Sequence, residues 1–286
     1  MKNYLEYFFL IIVFYLFKIL GLRLSSFLGG VFLGFYGVFS KRNKIAKKNI
    51  QRAFPHFKRK KINKIIRNMW FHFGRVLGEY PHLDSIKIKK NKHIIVENSD
   101  HLLKPLSEEK NCLFFSAHIG NWELTSHLLT QEGFKIHFIY RAPNNQFVDS
   151  LLRKIRTNYG VLLIRKGQEG AKDCLRVLNK KGGNIGMLID QKMNDGISTD
   201  FFGHKAMTAS AIAKFALKYK CPIIPAVCIR LRNTRFKISY LKPINHKKIK
   251  ELGTEENVMN YLNGYVEEWI AQTPEQWIWI HNRWTS

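Results

Sequence analysis

Acidic residues are scarce. The 286-residue chain carries 21 Asp and Glu against 47 Lys and Arg, a formal net charge of +26, which argues against cationic partners and points to anionic lipid, a phosphorylated substrate or nucleic acid. Cysteine is scarce too. Cys112, Cys174, Cys221 and Cys228 form no CxxC pair, and three of them lie in or beside apolar runs. They read as reduced core residues of a cytoplasmic domain, not as a disulfide framework. No Cys/His cluster has metal-ligand spacing, and Lys181-Gly182-Gly183 lacks a phosphate-loop pattern, so neither a metal nor a cofactor is expected. A fixed-period repeat and a low-complexity linker are also missing, which leaves one sizeable α/β domain with an appendage.

The appendage is apolar. Tyr4 to Phe17 reads YLEYFFLIIVFYLF, followed after Lys18 by ILGL and past Arg23 by SFLGGVFLGFYGVF. Residues 4–24 are long enough to cross a bilayer, which needs about 20 apolar residues. Residues 26–39 are short for a second crossing and read as interfacial. A cleaved signal peptide competes, but only Lys2 precedes the run and no small-x-small cleavage site follows it. Between Ser40 and Lys92, seventeen Lys and Arg face only Glu79 and Asp84, interleaved with Phe54, Phe57, Trp70, Phe71 and Phe73. Such a run is often only a set of solvated helix faces. Its place directly after an apolar segment favours anionic headgroups, which attract Lys and Arg by about 1 kcal/mol each, and sets the rest of the chain on the cytoplasmic side. The expected division is a membrane anchor over 1–40, then basic interfacial helices and a catalytic domain over 41–286.

From Asn111 onward, NCLFFS, KIHFIY, VLLI, NIGMLI and IIPAVCI are strand-like and alternate with helical patterns. This predicts an α/β fold around a mainly parallel central sheet flanked by helices. FKISYL, close behind IIPAVCI, adds an antiparallel strand and makes the sheet mixed. Residues 255–272 read as a late amphipathic helix ending near Pro274.

NCLFFS runs into Ala117-His118-Ile119-Gly120-Asn121-Trp122-Glu123-Leu124, which sets His118 at a strand's carboxyl end, where open α/β sheets put their sites. A neutral imidazole is suited to take a proton from an attacking hydroxyl near neutral pH. A carboxylate five residues on, Glu123, is expected in the first helical turn, holding the other ring N–H. By itself His-x-x-x-x-Glu is a weak signal, equally met by a surface His and an unrelated helix-cap Glu.

AHIGNWEL is similar to the His-x-x-x-x-Asp/Glu motif of glycerolipid acyltransferases, in the Asn-Trp-Glu form of the bacterial lipid A late acyltransferases. Further blocks resemble the same family in the same order: Tyr140-Arg141-Ala142-Pro143, with Ala142 inserted; Ile189-Asp190-Gln191; Phe201-Phe202-Gly203 with Thr208-Ala209, where Met207 departs from the pattern; and PEQWIWIHNRW over 274–284. NIQRAFP over 49–55, with Gly74 and Glu79, fits its amino-terminal half. The resemblance implies an O-acyltransferase with His118 as general base, Glu123 as its orienter, and Arg141, Asp190, Asn121 and Gln191 as substrate-side candidates.

Arg141 suits an anionic group because guanidinium is always charged and binds phosphate bidentately. Asp190 fits either a second carboxylate near the imidazole or a cap for the next turn. Asn121 fits an oxyanion donor or, preferably, an N-cap. His281 and Arg283 read as docking an aromatic tail. The implied partners are an acyl thioester donor (acyl carrier protein or coenzyme A), an anionic glycolipid acceptor of the lipid A precursor type, and the bacterial inner membrane, entered in single-pass or monotopic fashion. Lysophospholipid, aminolipid or mannosylated lipid are alternative acceptors. A nucleic-acid-binding protein is the competing class, but it leaves the apolar start without a role and no nucleic-acid motif is found.

Overall fold

The computed structural model describes residues 1–90, 92–108 and 110–284. Three helices lead: α1 (Lys2–Tyr36), α2 (Asn43–Ala53) and α3 (Arg59–Glu79). There follow β1 (Ile94–Glu97), α4 (Ser99–Ser107), β2 (Cys112–Ser116), α5 (His127–Gln131), β3 (Ile136–Tyr140), α6 (Gln146–Asn158), β4 (Val161–Arg165), α7 (Gln168–Leu178) and β5 (Asn184–Leu188). The chain closes with β6 (Lys192–Phe201), β7 (His204–Thr208), α8 (Ala211–Tyr219), β8 (Ile223–Arg232), β9 (Arg235–Tyr240), α9 (His246–Leu252) and α10 (Glu255–Gln272).

Seven strands form one sheet in the order β1-β9-β8-β2-β5-β3-β4. Every neighbouring pair is parallel except β8 with β9, which is antiparallel. Strand β2 explains why a parallel sheet reads as a continuous apolar run: all five residues are buried, Leu113 and Phe115 in the core on one face, Cys112 and Phe114 in the core on the other. Phe115 stacks on Trp269 of α10 with ring centroids 5.6 Å apart. The fold class is therefore as expected, with FKISYL in β9 and the late helix at Glu255–Gln272. Two pieces escaped the sequence reading: the edge strand β1 and the separate β6–β7 hairpin.

The amino-terminal apolar stretch is in two parts, as expected, but the break falls at Gly21: within α1 two helices meet at this residue, whose φ of 75° and ψ of 161° are non-helical and open to glycine at little cost. Ser25 Oγ donates to the Gly21 carbonyl, and His82 donates to the carbonyl of Phe17, four residues before the kink. Beyond the kink α1 lies on α3 at backbone contact, because a Cβ on Gly29 would overlap the Gly74 carbonyl and one on Gly74 would overlap that of Gly29. Before the kink, Tyr4 and Tyr7 pack on Phe147 of α6, and Asn145 donates to the Asn3 carbonyl. The opposite face of α1 leaves Phe8, Phe9, Phe27, Phe32 and Phe35 exposed.

Candidate active site

Strand β2 ends at Ser116, and its register against β5 (Ser116 opposite Leu188) sets His118 and Asp190 side by side just past the carboxyl edge. His118 Nδ1 lies 2.9 Å from Asp190 Oδ1. The backbone N–H of His118 donates to Oδ2 at 3.0 Å, and Trp277 Nε1 donates to the same oxygen at 2.7 Å. With a carboxylate on Nδ1, the proton sits there and Nε2 is left as the basic nitrogen. The His118 side chain is 21% exposed, whereas Asp190 is fully buried. Burial alone would raise the Asp190 pKa, but the adjacent imidazole and the hydrogen bonds from His118 outweigh it and hold the carboxyl well below the usual range. Of the two roles open to Asp190, the structure assigns the second carboxylate beside the imidazole.

The structure corrects the pairing of Glu123 with His118. The five-residue spacing requires a helix between them, and there is none: Ile119 bridges to Trp277, and Gly120 turns with φ +58°, where a Cβ would overlap the Cys228 carbonyl. The next element is a 3-10 turn over Trp122–Ser126, which carries Glu123 inward. There its carboxylate accepts from Arg156 Nε and Nη2 at 3.0 and 2.6 Å, Tyr159 Oη at 2.6 Å, Tyr80 Oη at 2.7 Å and Trp122 Nε1 at 3.1 Å. Burial pushes its pKa up, but Arg156 and the two phenols pull it further down, to about 2. Glu123 is thus a permanent anion that ties the turn after His118 to α6.

Asn121 takes neither of its expected roles. It begins the 3-10 turn but makes no side-chain cap bond, and it is fully buried, donating Nδ2 to Glu79 Oε2 at 2.8 Å. Glu79 is itself fully buried and held by Arg230 through Nη1 and Nη2 at 2.5 and 2.8 Å, with Ser26 of α1 donating to Oε1 at 2.7 Å. Gln276 closes the framework by pairing with both backbone groups of Arg230. The turn bearing the site is therefore fixed from α1, α3, β8 and the carboxyl-terminal segment together.

Arg141 lies just past the end of β3, next to β5 in the sheet, and Gln191 follows Asp190; both are exposed at the same sheet edge as His118. Arg283 is fully buried and His281 half-buried. Arg283 donates to Thr208 Oγ1 and the Met207 carbonyl, and burial pushes His281 down to about 4, so the tail docks through these residues. Sequence reasoning missed Arg156, Tyr80, Tyr159, Arg230 and the Trp277–Asp190 bond. Only Trp277 stood in a motif; the others are single residues in helical or strand patterns.

A profile described as bacterial lipid A biosynthesis acyltransferase matches residues 1–286. A lipid A biosynthesis acyltransferase of Haemophilus influenzae is 24% identical over 247 residues, covering 84% of this chain and 74% of that protein.

Proposed function

This chain belongs to the bacterial lipid A biosynthesis acyltransferase family, and from that premise we propose that it moves a fatty acyl group from a thioester, acyl carrier protein or coenzyme A, onto a hydroxyl of a lipid A precursor. The observation that carries the mechanism is the His118–Asp190 pair at the carboxyl edge of the sheet. Nε2 takes the hydroxyl proton as the oxygen attacks the thioester carbonyl. Asp190 compensates the charge that develops on the ring. Collapse of the tetrahedral species expels the thiolate, which recovers the proton from the imidazolium, so neither a covalent acyl-enzyme nor a cofactor is needed.

Glu123 acts at one remove in this reading, clamped by Arg156 so that the 118–123 turn keeps its shape. Arg141 and Gln191, exposed at the same edge, are assigned to the anionic and polar groups of donor or acceptor. The exposed apolar face of α1 and the basic residues after Ser40 support a seat in the inner membrane with the catalytic domain on the cytoplasmic side. Mass spectrometry of lipid A from a strain lacking this chain tests the assignment: a species short of one acyl group is expected, and unchanged lipid A overturns it.

A further inference from the structure

A cavity of about 420 Å³ opens where α1 meets the β8–β9 turn, lined by Arg23, Arg75, Arg235, His93, Thr234 and Phe27 among others. Three arginines and no Asp or Glu are among its lining residues, and most of the wall itself is apolar. Among the described residues none of the three arginines forms an ion pair. Arg75 is the telling one. It is more than nine-tenths buried, yet its one hydrogen bond runs from Nε to Ser26 Oγ at 3.1 Å.

The nearest carboxylate, Glu79, is already committed to Arg230, Asn121 and Ser26. Arg75 reaches that carboxylate only through the Ser26 hydroxyl and shares it with Arg230, which leaves two buried guanidinium groups on one anion and room for a ligand to supply another. Burial and the like charge of Arg230, partly offset by Glu79, push Arg75 down to about 10, so it is still charged at neutral pH. Arg23 and Arg235 stand exposed at the mouth, and Arg23 Nη2 lies 2.8 Å from His93 Nε2.

The apolar side of the cavity decides what kind of anion fits. Phe27 lines it and is half exposed, continuous along α1 with exposed Leu24, Leu28 and Val31. An acidic head within the arginines would thus have its chains against the outer face of α1. We propose that this cavity binds the phosphate ester headgroup of an acidic membrane lipid, at a site separate from the His118–Asp190 centre. Guanidinium groups match phosphate oxygens bidentately, and the apolar rim discriminates a lipid from a free anion.

The test is binding of dioctanoyl phosphatidic acid to the full chain in neutral detergent micelles, read by titration calorimetry. Because the readout is binding, its failure leaves the acyl-transfer reading standing. Arg23→Gln with Arg235→Gln, both exposed positions, should weaken binding at least tenfold. Lys247→Gln with Lys250→Gln, on exposed positions of α9, removes the same charge and should leave affinity within about twofold. Equal loss in the two double variants would mean bulk charge only and overturn the site. So would unchanged affinity in the Arg23/Arg235 variant. Inorganic phosphate binding as tightly as the lipid would overturn the lipid assignment, and a phosphorylated glycolipid displacing phosphatidic acid only from His118-competent enzyme would relocate binding to the acyl-transfer centre. If the Gln pair alters the melting profile without ligand, Arg23→Lys with Arg235→Lys replaces it; charge survives there but the bidentate fork does not, and weaker binding is again expected.

Discussion

In the proposed mechanism Nε2 of His118 accepts a proton, and the charge that this puts on the ring is compensated at the opposite nitrogen, which faces Asp190. Replacing His118 with Ala is expected to lower turnover by about 10²–10⁴-fold in a folded protein. Asp190→Asn should lower kcat as well, and the double variant should be little worse than His118→Ala alone, since Asp190 acts through the imidazole. Additive losses in that kinetic cycle would sink the pairing.

Glu123 gives a different signature, in stability. Its folded pKa of about 2 lies below the unfolded value of about 4.3. Its contribution is therefore fully present above about pH 4.3 and is lost as pH falls toward 2. In Arg156→Met the buried carboxylate has lost its cation and burial raises its pKa, so that variant should melt lower at pH 7 and lose less between pH 5 and 3 than the parent. Thermal melts across that range check it.

His118 was legible because a fully apolar strand stops at a titratable side chain. Its partner was legible only as one of two roles open to Asp190, which lies 72 residues away and reaches the imidazole through the β2–β5 pairing, which no local pattern announces. The carboxylate that spacing offered instead was diverted by Gly120, whose positive φ replaces the helical turn the spacing assumed.

Among the elements, those with undivided apolar or amphipathic patterns were readable: β2, β3, β4, β5, β8 and α10 each sit where their sequences put them. Strand β6 was not, since its residues are mostly polar and without a regular apolar alternation, and β1 is four residues long in a Lys-rich stretch. The α1–α3 contact was hidden for another reason, because glycines read as loop formers when their function is to let two backbones touch. Gly74→Ala should lower the unfolding free energy by roughly 1–3 kcal/mol, as overpacking does, measured by thermal denaturation in detergent. Gly264→Ala is the converse case. It lies exposed in α10 with no atom within 4 Å of an added Cβ, and should stabilise by up to about 1 kcal/mol. Equal behaviour of the two would mean that α1 is not packed on α3 as described.

For the molecule as a whole, the boundary expected at residue 40 separates sequence character more than structure. Phe14 and Leu22 pack against one core, and Gly29 seats against Gly74. Deleting residues 1–36 should accordingly leave a chain that melts lower or aggregates, and a monodisperse fragment with the parent's melting temperature would contradict this. In membranes, 1 M salt should fail to release the full chain while detergent succeeds, because apolar burial at about 25 cal/mol per Å² is not screened by ions. The chain of contacts from Ser26 through Glu79 to Asn121 runs from the helix proposed to sit in lipid to the turn three residues past His118. If that helix sits in lipid and His118 is the base, as proposed, this direct connection holds the reacting nitrogen at a set altitude above the bilayer. On that proposal, a glycolipid offering several hydroxyls would be sorted by height as well as by shape, and only the one lifted to that level would meet the base.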